Sequence, residues 1–309
     1  MPAPSHVPVM VREVLEGLRL QPGATVVDGT IGLAGHSQEI AQKIAPGGCL
    51  IGIDWDEAML TLAQETLAGA DGIELSLHHG DYRAIPEVLG AAKADAILLD
   101  LGLNNAQIED EARGISFRQD GPLDMRMDRT KGQTAADFLN SSSASEIERV
   151  LREYGDERWA RKIAQVIVDR RKERRLTTTA DLVDCVLAAV PAAKRDRRIH
   201  PATRTFQAVR IHVNRELEGL QDAVESAARC LSKGGRMAVL SYHSGEDRAV
   251  KRAFRRLSDE EGFSLLIKKP IVPGEQEVRD NPKSRSAKLR LIERTPRMVK
   301  KHGRSTLDR

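Results

Sequence analysis

The sequence predicts a doubly wound α/β fold, a mostly parallel sheet with helices on both faces, interrupted by a small all-helical insertion. Three observations lead there. Short apolar runs ending in Asp or Gly alternate with helical patterns through the first hundred residues. That rhythm stops from Thr134 to Val190, where only helical periodicity remains. It resumes near the C-terminus with further strand-like runs. Alternating strands and helices require crossover connections, and these place the strands parallel and bury the sheet on both sides.

In order, Ala24–Asp28 reads as a buried strand, His36–Ile44 as a helix and Leu50–Asp54 as a second strand. Glu57–Leu67 is a helix, Ile73–His79 a third strand and Ala94–Asp100 a fourth. In the insertion, Ser143-Ala-Ser-Glu146 has the spacing of a capping box and opens a helix to about Tyr154. Asp156–Lys172 places Trp159, Ile163, Val166 and Ile167 on one face. Thr178 caps a further helix carrying Leu182, Val183, Val186 and Leu187. Phe206–Leu231 reads as one long amphipathic helix, with Phe206, Val209, Val213, Leu217, Leu220 and Val224 recurring every three or four residues. Gly234-Gly235 is expected to end it before a fifth strand at Arg236–Tyr242. Ser264–Lys269 and Ala287–Glu293 form an expected antiparallel pair, followed by a basic tail without periodicity. The expected division is a discontinuous catalytic domain, 1–106 and 204–309, around a helical domain at 107–203.

Composition narrows the function. No apolar run reaches the roughly 18 residues that a membrane span needs, and the N-terminus lacks the apolar core of a secretory signal. A cytoplasmic protein is expected. Cys49, Cys185 and Cys230 are far apart and in no metal-ligand spacing, so neither a disulfide framework nor a metal site is expected. The net charge of +3 conceals a split: residues 1–160 carry 13 Lys/Arg against 26 Asp/Glu, and residues 161–309 carry 35 against 19. A basic second half fits a polyanionic partner, although solvated helix faces would give the same count. Aromatic residues are only 3%, which disfavours stacking as the main grip on single strands.

The chemistry concentrates at strand ends. The stretch VVDGTIGLAGHS closes the first strand with Asp28-Gly29-Thr30 and runs through Gly32 and Gly35 into a helix. In an open parallel sheet, ligands bind beyond the carboxyl ends of the strands. Asp54 ends the second strand, where a carboxylate can accept both hydroxyls of a ribose. The glycines follow G-x-x-G-x-x-G, not the dinucleotide pattern G-x-G-x-x-G. A nucleoside without a pyrophosphate fits better than NAD, and S-adenosylmethionine is the common one. His79-Gly80-Asp81-Tyr82 follows the third strand, beside the expected adenine, and Asp100 ends the fourth, near the expected reacting centre. Each signal alone is what a tight turn also produces; four in order at successive strand ends are more specific.

On these and further stretches the chain resembles the MraW-type methyltransferases, which methylate the exocyclic N4 of a cytosine in small-subunit (16S) ribosomal RNA. The matching stretches include HVPVM at His6, DGTIGLAGHS at Asp28, LLDLG at Leu98 and RGISFRQDGPLDMRMD at Arg113. They continue with YGDERWARKIA at Tyr154, HPATRTFQAVRIHVNRELE at His200, GGRMAVLSYHSGEDRAVKR at Gly234 and NPKSRSAKLR at Asn281. The resemblance implies the class I, Rossmann-like, S-adenosylmethionine-dependent methyltransferase fold. It also implies cofactor contacts at Ala34, Gly35, His36, Asp54, Tyr82, Asp100 and Gln107, of which His36 and Gln107 are not reached from spacing. The chain departs from the family where Val-Ser-Ser-x-Gln becomes Leu103-Asn104-Asn105-Ala106-Gln107, and where HSLEDR becomes His243-Ser244-Gly245-Glu246-Asp247-Arg248.

A cytosine amino nitrogen is a poor nucleophile because its lone pair is delocalised into the ring. Acceptors on its two hydrogens localise that pair. Asp100 and the side-chain carbonyl of Asn104 or Asn105 are the candidate catalytic groups, although adjacent asparagines also favour a plain turn. Arg113, Arg118, Arg126, Arg204, Arg210, His243 and Arg248 are candidate RNA contacts, each of which is individually also an ordinary ion-pair partner. The expected partner is the small ribosomal subunit, bound by a monomer or homodimer. Two other functions remain open at this point: the same chemistry on another acceptor, such as DNA or protein, and a non-catalytic RNA-binding assembly factor.

Overall fold

The structure, a computed structural model, describes residues 8–103, 108, 110–196, 199–260 and 262–295. It divides into two compact units, Met1–Gly102 with Gly219–Arg309, and Leu103–Glu218.

In the first unit, α1 (Val11–Leu18) buries Val14 and Leu18. It precedes β1 (Thr25–Asp28), whose last three residues are buried. α2 (Gly35–Ile44) sinks Ile40, Ala41 and Ile44 into the sheet, and β2 (Gly48–Asp54) follows. α3 (Glu57–Thr66) starts at Asp56, whose side chain accepts from the Ala58 amide. β3 (Ile73–His79) is an edge strand with no fully buried residue. α4 (Ile85–Leu89) leads to β4 (Ala94–Asp100), which is almost wholly buried. Sequence periodicity does not single out α1 or α4, which are too short to show a pattern.

The second unit is built from helices. α5 (Ala135–Ser141) and α8 (Thr179–Ala189) each open with a reciprocal capping box, from Thr134 and Thr178. Such caps contribute about 1 kcal/mol each. Between them lie α6 (Ala144–Gly155), capped by Ser143, and α7 (Ala160–Glu173). α9 (Thr203–Val213) completes the unit. Phe138, Ile147, Leu151, Ile163, Ile167, Val186, Phe206 and Val209 share its apolar core. The expected return to the catalytic domain at 204 is therefore corrected: α9 belongs to the helical unit, and the crossing falls between Glu218 and Gly219.

The single helix expected over 206–231 is likewise two. α9 ends at Val213, and α10 (Leu220–Arg229) begins seven residues later, in the first unit. Arg215 (φ 51°) and Gly219 (φ 68°) adopt left-handed backbone, which a right-handed helix cannot contain. Arg210 folds back on Glu216 through two bonds of 2.8 Å, and Asn214 donates to the Met125 and Arg210 carbonyls. The apolar spacing runs through the break without reporting it.

The chain then forms β5 (Leu231–Ser241). The strand starts before Gly234-Gly235, and the glycines occupy an irregularity where Ala94 pairs with Leu231 but Ala96 pairs with Arg236. α11 (Ser244–Ser258), β6 (Phe263–Leu265), α12 (Glu275–Asp280) and β7 (Lys288–Arg294) finish the described chain. The sheet order is β3-β2-β1-β4-β5-β7-β6. The pairs β2–β3, β1–β2, β1–β4 and β4–β5 are parallel; β5–β7 and β6–β7 are antiparallel. Strand order reverses between β1 and β4, so their carboxyl ends, Asp28 and Asp100, flank the switch point where such sheets open to a ligand.

Candidate cofactor and active site

Asp28 is 2% exposed and lies at the carboxyl end of β1. Its Oδ2 accepts from Ser37 Oγ at 2.7 Å, and its Oδ1 from the Thr30 amide at 3.2 Å. Burial pushes its carboxyl above the ordinary value. Asp28 thus braces the loop to α2 from inside. Thr30 continues the brace, its Oγ1 accepting from the Asp100 amide at 2.6 Å and tying β1 to β4.

The loop between them has an unusual backbone. Gly32 (φ 50°) and Ala34 (φ 62°) are left-handed. Ala34 is fully buried and immediately precedes α2, and a Cβ on Gly35 would stand 2.7 Å from Pro8 Cγ. The Gly32 amide donates to Asp54 Oδ2 at 2.9 Å, and the Asp56 amide to Oδ1 at 2.9 Å. Asp54 is 7% exposed, and burial raises its carboxyl to about 6 despite those two donors. Asp54 is therefore a rigid acceptor anchored to the loop that it faces.

Glycine in the middle of β2 has a packing cause: a Cβ on Gly52 would lie 2.4 Å from Ile31 Cδ1. At the end of β3, His79 Nε2 bonds the Trp55 carbonyl at 2.9 Å, tying the ends of β2 and β3. Tyr82 is 7% exposed, with the Arg83 guanidinium 5.1 Å from its ring centre.

The most reactive corner is that of His36 and Asp100. His36 Nε2 lies 2.9 Å from the Val9 carbonyl, which can only accept, so Nε2 carries the proton. Nδ1 then faces Asp100 Oδ2 at 3.6 Å, beyond hydrogen-bond distance. Asp100 Oδ1 is buried with no hydrogen-bond partner among the described residues. Among the described residues no donor reaches this oxygen, and an amine or ammonium group is a fitting one. Tyr242, at the end of β5, lies beside it. Burial first, and then the Asp100 carboxylate, hold its phenol well above the ordinary value. Its ring covers Gly102, where a Cβ would come within 2.5 Å of Tyr242 Cε2.

The structure thus brings Ala34, Gly35, His36 and Asp100 to one loop and strand end, with Asp54 bonded to that loop. Asn104, Asn105 and Gln107 lie outside the described residues. Sequence reasoning left Asp28 without a role and missed Thr30, Ser37 and Tyr242. The first three share the DGT…GHS stretch, a polar set too dense for an apolar strand end. Tyr242 has no sequence signal of its own.

The candidate RNA contacts divide. Arg113, 7% exposed, donates to Asp110 and to the Met127 carbonyl. Arg126 grips both oxygens of Asp124 at 2.7 and 3.0 Å. Arg210 forks onto Glu216. All three are engaged internally, each with a carboxylate of its own unit. Arg204 is exposed and donates to the Asp156 carbonyl. Arg118 and Arg248 are exposed. His243 caps α11: its Nδ1 accepts from the Gly245 and Glu246 amides, and Glu246 accepts in return from the Tyr242 and His243 amides. The Gly245 that departs from the family pattern leaves this capping box complete.

Residues 3–295 match a model of the MraW methylase family. Ribosomal RNA small subunit methyltransferase H of Trichlorobacter lovleyi is 44% identical over 306 residues, covering 94% of this chain and 98% of that protein. Proteins of the same name from Geobacter sp. strain M21 and Heliobacterium modesticaldum are 43% and 42% identical over 307 and 308 residues, again covering 94% of this chain and 98% of each protein. Among the described residues, no helix is long and apolar enough to cross a membrane.

Proposed function

Because the chain belongs to the MraW methylase family, we propose that it is an S-adenosylmethionine-dependent methyltransferase acting on the exocyclic N4 of a cytosine in small-subunit ribosomal RNA. The observation that carries this reading on the structural side is the buried Asp100 Oδ1 at the switch point, without a hydrogen-bond partner among the described residues and beside a loop anchored to Asp54.

When bound, S-adenosylmethionine supplies a methyl group already activated by its sulfonium centre. The protein's task is therefore alignment and charge placement rather than bond activation. Asp54 would accept from the ribose hydroxyls while its own position is held by the Gly32 and Asp56 amides. Ala34, Gly35 and His36 would line the methionine side, and Tyr82 the adenine side. Asp100 accepts a hydrogen of the target amine, which localises the nitrogen lone pair and stabilises positive charge as it develops. Asn104 or Asn105 supplies the second acceptor, since an Asn side-chain carbonyl can accept a hydrogen bond as a Ser hydroxyl can. Gln107 completes the cofactor contacts, and Arg118, Arg204 and Arg248 meet the RNA. The helical unit contributes to RNA recognition. The protein works in the cytoplasm, as a monomer or homodimer.

The test is methyl transfer from labelled S-adenosylmethionine to small subunits from cells lacking the endogenous enzyme, followed by nucleoside analysis. N4-methylcytidine is the expected product. Label in another nucleoside, or in protein, would overturn the acceptor assignment.

A further inference from the structure

The reading above uses α11 only for its cap and for Arg248. Arg248, Lys251, Arg252 and Arg255 lie on it at positions i, i+3, i+4 and i+7, the spacing that places side chains on one helical face. All four are exposed. None forms an ion pair with any described residue, whereas Arg256, one position off the stripe, pairs with Glu225 at 3.5 Å.

The acidic residues of the same helix do not neutralise this stripe. Glu246 is 2% exposed and spends an oxygen on the backbone amides of Tyr242 and His243. Asp247 is held by Arg290 at 2.8 Å and Lys288 at 3.2 Å on the sheet side. Asp259 lies one turn beyond Arg255 and makes no ion pair with it, and Glu260 is taken by Arg229. Helix electrostatics account for Arg255, near the negative C-terminal end, but not for Arg248, near the positive N-terminal end. Four uncompensated cations within about 10 Å of helix repel one another in the free protein. An anionic surface of similar pitch removes that cost.

We propose that the α11 stripe is a docking surface for the phosphate backbone of the substrate RNA. This inference rests on the proposed function and deepens it by locating a grip on the catalytic unit itself. The stripe carries three Arg and one Lys and no aromatic side chain. It can therefore neutralise two or three successive phosphates but offers no ring for stacking on bases. It positions the RNA without reading its sequence.

The test compares the wild-type protein with a variant carrying Arg248→Gln, Lys251→Gln, Arg252→Gln and Arg255→Gln. Gln is close to Arg and Lys in helix propensity, and the replaced residues are exposed. Binding to purified small subunits, and to naked 16S ribosomal RNA, is measured across a salt series. Removing contacts to two or three phosphates is expected to lower the slope of log affinity against log salt by about 2, with affinity down tenfold or more at low salt and cofactor affinity unchanged. A control, Arg149→Gln, removes an exposed cation already paired with Glu153 and is expected to change the slope little. An unchanged slope in the quadruple variant, with the wild type active, overturns the stripe while leaving the methyltransferase reading intact. Weakened binding to subunits but not to naked RNA overturns it in favour of an acidic ribosomal protein. Should the quadruple variant fold poorly, the pair Lys251→Gln and Arg252→Gln carries the same test with about half the change in slope.

Discussion

His36 Nδ1 stands 3.6 Å from Asp100 Oδ2, with His36 tethered to the Val9 carbonyl and the other Asp100 oxygen buried and unpartnered. At that distance the two side chains make no hydrogen bond with each other. The arrangement makes sense when a donor enters, and it directs the first prediction.

Asp100→Ala should lower the single-turnover rate of methyl transfer by about a hundredfold or more, the usual range for a lost proton acceptor or charge stabiliser. The cofactor dissociation constant should move less than the rate. A variant that keeps a substantial fraction of the wild-type rate would remove Asp100 from the chemistry.

Asp54 ties cofactor affinity to pH. Its carboxyl is raised to about 6 by burial, so it is ionised at neutral pH and takes up a proton as the pH falls through that value. A protonated acid is a poorer acceptor for two ribose hydroxyls. Calorimetric affinity should therefore be flat above about pH 7 and weaken below pH 6. The stability of the cofactor-free protein should move the other way. A raised folded value contributes stability below the ordinary carboxylate value of 3.8, and that contribution is lost as pH rises through about 6. Asp54→Asn should flatten both profiles near pH 6 and weaken cofactor binding roughly tenfold to a hundredfold. Unaltered profiles in that variant would show that another group titrates.

Arg210 should matter for stability rather than for RNA. Its fork onto Glu216 is mostly buried, with side-chain exposures of 16% and 8%. Arg210→Ala takes both guanidinium bonds from the buried Glu216 carboxylate and should cost about 3 kcal/mol, read as a lower thermal midpoint. The salt slope of RNA binding should stay at the wild-type value. A drop in slope without loss of stability would return Arg210 to the RNA surface.

Gly114→Ala should be strongly destabilising. Gly114 has φ 61°, and an added Cβ would fall 1.9 Å from the Pro122 carbonyl oxygen, a backbone atom that cannot swing aside. Left-handed strain and backbone displacement together should cost about 3 kcal/mol or more. Near-normal melting of this variant would mean that the Arg113–Met127 loop is looser than its hydrogen bonds imply.

Much of the fold could be read directly from the chain. The bounds of Ile73–His79 and Ala94–Asp100 came out as observed, because a buried strand announces itself as a short apolar run stopped by a polar residue. Thr178 and Ser143 marked helix starts, because a cap acts through neighbours three residues away. Asp54 and the Gly32–Gly35 loop were reachable for the same reason: their roles follow from ending a strand. His36 and Gln107 came only through the family resemblance.

Failures occurred where the deciding partner lies far along the chain or where the backbone turns without disturbing the apolar spacing. Val213, Leu217 and Leu220 keep helical periodicity across a break held by Arg210–Glu216 and left-handed Gly219. Arg113 and Arg126 read in sequence as RNA contacts or as ion-pair partners alike, and in space Asp110 and Asp124 pair with them. Tyr242 reaches Gly102 across 140 residues.

The amino-acid sequence by itself thus determined the alternation of elements, the strand ends that carry the acids, and the cofactor class, since these depend on local periodicity and on what terminates it. Only the tertiary structure decided which acids are braced and which await a donor, where the helical unit ends, and which arginines are committed. Burial and pairing depend on groups brought together from distant segments, and no local pattern encodes that meeting.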